Sequence, residues 1–86
     1  MAPTRIIVGP LPTSTSDAIL REMFTDFGTV VEGKMYKIPN NSEPFAFGWV
    51  RFQQESAANL AIQAWKDGGF GRSHGPFFIV DKLADV

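Results

Sequence analysis

Phe45-Ala46-Phe47-Gly48-Trp49-Val50-Arg51-Phe52 is the most strand-prone stretch of the chain, and its reading decides the fold. Aromatic and β-branched residues, which suit a pleated surface, dominate it. Successive side chains of a strand point to opposite faces, so one face receives Ala46, Gly48, Val50 and Phe52. That set is apolar and fits beneath a helix. The other face receives Phe45, Phe47, Trp49 and Arg51. A sheet covered on one side normally turns polar groups toward water, so three aromatic rings on the second face call for a ligand.

Working outward, Arg5-Ile6-Ile7-Val8-Gly9 reads as a short buried strand ended by Gly9, Pro10 and Pro12. Ser14, Thr15, Ser16 and Asp17 offer helix N-cap oxygens, and Ile19, Leu20, Met23, Phe24 and Phe27 recur at helical spacing before a glycine stop at Gly28. Residues 30–38 are strand-like but weakened by Gly33, and the loop of residues 39–44 follows. Ala57, Ala58, Ala61, Ile62 and Trp65 form a second helical stripe, and residues 68–76 form a glycine-rich connection. Phe77-Phe78-Ile79-Val80 closes as the last strand. The order β-α-β-β-α-β is the split βαβ arrangement: an α+β, ferredoxin-like sandwich with a four-stranded antiparallel sheet packed on two helices. Leu20, Met23, Phe24, Ile62 and Trp65 are expected in the core. With 86 residues, a single domain over 1–86, its core about 5–82, is expected.

The same alternation brings Ile7 and Gly9, Lys34 and Tyr36, and Phe77 and Ile79 to the open face beside Phe45, Phe47, Trp49 and Arg51. Such an apolar patch exceeds the roughly few hundred Å² that a monomer usually exposes, which marks a binding surface. The formal charge of -1 gives no global attraction to nucleic acid. Placement offsets this in part: Asp17, Glu22 and Asp26 fall on the first helix, behind the sheet, whereas Arg5, Lys34, Lys37 and Arg51 fall on or beside the open face.

Other classes are disfavoured. The 44% hydrophobic and 13% aromatic content excludes a disordered tail, and no run approaches the roughly 18 apolar residues of a membrane span. Only a three-residue apolar run precedes Gly9, so a secretory leader is not expected. With no cysteine and one histidine, His74, neither a disulfide nor a metal site is expected, and no cofactor. No nucleophile-His-carboxylate set can be assembled and no Walker-type or dinucleotide-binding glycine motif follows the first strand. An enzyme with a small-molecule substrate is not expected.

From Arg5 to Val80 the chain resembles the RNA-recognition-motif family. The family's long signature, K/R-G-F/Y-G/A-F-V-x-F/Y, aligns with Phe45–Phe52, where Phe47, Gly48, Val50 and Phe52 match and Trp49 exchanges one aromatic for another. Ile6-Ile7-Val8-Gly9-Pro10-Leu11 is similar to its short signature. The resemblance implies binding of short single-stranded RNA, with bases stacked on Phe47 and Trp49 and with Ile7, Tyr36, Lys34, Arg51, Phe45 and Arg5 completing the site. It also implies an intracellular setting, nuclear or cytoplasmic. Two positions depart from the pattern: Ile7 stands where the family usually stacks an aromatic, and Phe45 where it usually places a Lys or Arg. These departures suit the alternative, a variant that docks a peptide, a subunit or another protein of an RNA-processing complex. Arg72-Ser73-His74 resembles the Arg-x-Phe element of peptide-binding variants, and Arg72, His74, Phe77 and Ile79 are the protein contacts that this alternative implies.

Overall fold

Alternating burial along the strands builds the core, and it follows the pattern of the sequence closely. The computed structural model describes residues 4–36, 45–68, 70 and 78–83. The chain runs through β1 (Arg5–Pro12), α1 (Asp17–Met23), β2 (Val30–Tyr36), β3 (Phe45–Phe52), α2 (Glu55–Lys66) and β4 (Ile79–Leu83). The strands form one sheet in the order β2-β3-β1-β4, every neighbouring pair antiparallel. One face packs on the helices through Ile6, Val8, Leu11, Val50, Phe52 and Val80, which meet Leu20, Phe24, Ala57, Ala58, Ala61 and Ile62. Gly48 lets β3 lie close beneath α1, because a Cβ there would come within 2.7 Å of Leu20 Cδ2 and 2.9 Å of Met35 Sδ.

Three boundaries differ from the sequence expectation among the described residues, each for a local reason. Gly9 and Pro10 do not end β1; they form an irregularity after which Leu11 and Pro12 pair with Ala46 and Phe45. The first helix opens as expected, Ser16 Oγ accepting the Ile19 N–H at 3.1 Å, but it stops at Met23. Phe24 and Phe27 then turn inward and gather around Phe70, with ring centroids 5.1 and 5.4 Å from it. So short a helix buries a narrow stripe, and Ile19, one residue and about 100° round from Leu20, is exposed. β2 is described through Tyr36, and the expected end of that strand at residue 38 lies outside the described residues.

The third difference concerns β4, which begins at Ile79, with Phe78 outside the strand, and continues through Asp81 and Lys82. Phe78 lies in the core just before the strand, and its carbonyl accepts the Trp65 indole N–H at 2.8 Å. Phe78 is therefore a core anchor just before the strand, and the expected Ile79 and Val80 are its first two residues. At the opposite edge of the sheet, α1 covers β2: Asp17 Oδ1 accepts the Met35 N–H at 2.8 Å, and Arg21 Nη1 donates to the Gly33 carbonyl at 3.1 Å. Side chains from the helix thereby satisfy backbone groups that an edge strand would otherwise offer to another chain.

Candidate nucleic-acid interface

Residues paired directly across antiparallel strands share a face, so the ladder registers arrange the open side in rows. The central row runs Lys34, Trp49, Ile7, Asp81 from β2 to β4. A second row runs Glu32, Arg51, Arg5, Leu83. In the third, Tyr36 stands opposite Phe47, and Gly9 stands opposite Ile79. The third row is the most open: Tyr36 is 65% exposed, Phe47 40% and Ile79 37%. Trp49 and Ile7 are half-buried and Lys34 is exposed.

Phe47 is seated by its neighbour on β1. A Cβ on Gly9 would lie 2.7 Å from Phe47 Cδ2 and 3.1 Å from its Cα, so only a bare backbone leaves room for this ring against β1. Gly9 also has φ +151, a conformation that residues with a Cβ rarely adopt. Trp49 is flanked by a cation, the Arg5 guanidinium standing 5.7 Å from its ring centroid, a cation–π arrangement. Arg51 is engaged across the strands, forming an ion pair with Glu32.

The structure thus brings together Phe47, Trp49, Ile7, Tyr36, Lys34, Arg51, Arg5 and Ile79 on one surface. The side chain of Phe45, together with Lys37, Arg72, His74 and Phe77, lies outside the described residues. Two face residues, Glu32 and Asp81, were not anticipated. Both carry the right parity, two positions before Lys34 and two after Ile79, but the sequence reading ended the last strand before Asp81 was reached. Their carboxylates correct the expected charge balance: among the described residues Arg5, Lys34 and Arg51 share the face with two acids, a small cationic excess. Among the described residues no group of three metal-binding side chains occurs, and no helix is long and apolar enough to cross a membrane.

The sequence profile of the RNA recognition motif matches residues 6–73, which is most of the chain. This chain belongs to the RNA-recognition-motif (RRM) family. The RRM is 39% identical over 59 residues to the mitochondrial glycine-rich RNA-binding protein 2 of Arabidopsis thaliana, covering 69% of this chain and 37% of that protein. It is 38% identical over 58 residues to polyadenylate-binding protein 7 of the same plant, covering 67% of this chain and 9% of that protein. The RRM therefore corresponds to well under two thirds of either relative's length. Among solved structures, that of the C. elegans NONO-1 homodimer superposes with a TM-score of 0.76 at 25% identity, covering 96% of this chain and 34% of that one.

Proposed function

We propose that the open face of this RRM binds short single-stranded RNA, with unpaired bases stacked on Phe47 and Trp49 and with Tyr36 as a further ring. The observation that carries the reading is the adjacency of three aromatic side chains on β2 and β3 on the side away from the helices, Tyr36 and Phe47 exposed and Trp49 half-buried. Flat rings suit bases of any identity, each stack contributing about 1 to 3 kcal/mol. Lys34 and Arg5 supply nearby positive charge for the sugar-phosphate chain, and Ile7 adds an apolar seat beside Trp49. The relatives named as RNA-binding and polyadenylate-binding proteins support the same reading. It describes a binding module rather than an enzyme, working inside the cell, as the mitochondrial relative does, and able to serve alongside other proteins of an RNA-processing complex.

Fluorescence anisotropy with labelled RNAs of about eight nucleotides and mixed sequence tests this, a length that exceeds the roughly two or three bases stacked on the aromatics of such a sheet. Single strands are expected to saturate the protein, and the same sequences annealed as duplexes to bind far more weakly, because paired bases cannot reach the rings. Equal binding of both forms, or none of either, would refute the proposal. Concentration-dependent self-association of a protein that leaves RNA unbound would point instead to protein docking on this face.

A further inference from the structure

We infer that Asp81 reads the Watson–Crick edge of a base seated over Ile7 and makes this position selective for guanine. The inference rests on the reading that the open face takes single-stranded RNA, and adds to it a base preference and the residue that sets it. Its basis is the central row, Lys34, Trp49, Ile7, Asp81, in which a cation and a carboxylate stand at opposite ends of an apolar centre. Strands lie about 4.8 Å apart, so a base centred over Ile7 ends its outer edge over the next strand, where Asp81 is exposed.

Charge decides which part of a nucleotide comes to β4. Phosphates are drawn toward Lys34 and toward Arg5 beside Trp49, and are repelled by Asp81. The base edge, not the backbone, therefore faces the carboxylate. Asp81 is also held in place: one of its oxygens, Oδ1, accepts the Lys82 N–H at 2.7 Å. An ionised carboxylate only accepts hydrogen bonds and can take two donors side by side.

Guanine alone among the four bases presents two adjacent donors on its Watson–Crick edge, N1–H and the 2-amino group. Uracil offers one N–H between two carbonyls, and adenine and cytosine each offer an amino group beside an acceptor nitrogen. Their lone pairs would face the carboxylate. Isoleucine at position 7 sharpens the consequence, because an aliphatic seat holds any base without the stacking that an aromatic provides. Discrimination at this position then depends on the edge contact.

The test uses four oligouridine strands that differ only at one central nucleotide, G, A, C or U, titrated by anisotropy against the wild type and Asp81→Asn. The asparagine keeps an oxygen for the Lys82 N–H, and circular dichroism verifies the fold. Wild type is expected to prefer the G strand over the U strand by at least about fivefold, the lower end of what a bidentate base contact contributes. Asp81→Asn is expected to erase that preference while changing the affinity for the U strand by less than about threefold, a margin below the fivefold effect sought. A second readout leaves the protein untouched: inosine in place of the central guanine, lacking the 2-amino group, should bind the wild type at least about twofold more weakly, as loss of one of the paired donors requires. Equal affinity for the four strands, or an Asp81→Asn variant that binds all four more tightly by one common factor, would overturn the inference. The second result would make Asp81 a repulsive charge and not a base reader. Failure of the wild type to bind any strand would instead remove the RNA-binding reading on which the inference stands.

Discussion

Phe47 is the residue whose replacement separates folding from recognition, provided that the substitution is chosen from its surroundings. The residue is 40% exposed and so about three-fifths covered, with Gly9 of the neighbouring strand close against its ring. An aromatic of this size buries roughly 150 to 250 Å² when fully enclosed, so about 90 to 150 Å² is covered here. At about 25 cal/mol per Å² this amounts to roughly 2 to 4 kcal/mol, an upper bound because an unfolded chain already covers part of that area. Phe47→Ala would therefore weaken the fold by an amount similar to its effect on binding. Phe47→Leu keeps an apolar cover against Gly9 and removes the ring, so stability should fall by less than about 1.5 kcal/mol. RNA affinity should fall by about 1 to 3 kcal/mol, a factor of roughly 5 to 150 in Kd. Urea unfolding and anisotropy titration on the same preparations measure the two quantities. A leucine variant that binds RNA as the wild type does, beside an alanine variant whose lost affinity tracks its lost stability, would show that the ring is structural and refute base stacking at this position.

Two further outcomes follow from packing and charge. Gly48→Ala should destabilise the domain by about 1 to 3 kcal/mol in urea unfolding, because the added methyl meets Leu20 and Met35 in an already filled space; an unchanged midpoint would show that α1 can move away. Glu32→Gln removes the partner of Arg51 from a well-exposed pair, so stability should change by less than about 1 kcal/mol, while the slope of log K against log salt steepens by about 0.7 as Arg51 takes up a phosphate. An unchanged slope would place Arg51 off the path of the RNA.

The faces of β3 were legible because its residues alternate cleanly: Ala46, Gly48, Val50 and Phe52 are buried, and Phe47, Trp49 and Arg51 lie on the other face, where parity placed them. Boundaries were less so, since apolar spacing reports burial and not hydrogen bonding. Phe24 and Phe27 continue the stripe of the first helix although the backbone has already left the helix, and both are wanted by the cluster around Phe70. Phe70 itself is hidden in a glycine-rich segment, where nothing local distinguishes a core ring from a loop residue. At β4 the same confusion of burial with strand drew attention to the run ending at Val80 and concealed Asp81, which becomes a face residue only once its pairing with Ile7 is known. Glu32 shares the parity of Lys34, but its partner Arg51 is nineteen positions distant and comes opposite it only through the pairing of β2 with β3.

The claim that RNA lies on the sheet face is tested most directly by the fluorescence of Trp49. The chain has two tryptophans, and Trp65→Phe leaves Trp49 as the only one, its emission selected by excitation beyond the tyrosine band, at a cost of about 0.5 to 1.5 kcal/mol for the lost hydrogen bond to the Phe78 carbonyl. Adding single-stranded RNA to this variant should quench the Trp49 emission in a saturable way, with the same midpoint as anisotropy on the labelled strand. Emission that stays constant while anisotropy reports binding would place the RNA elsewhere on the protein and contradict the assignment of this face.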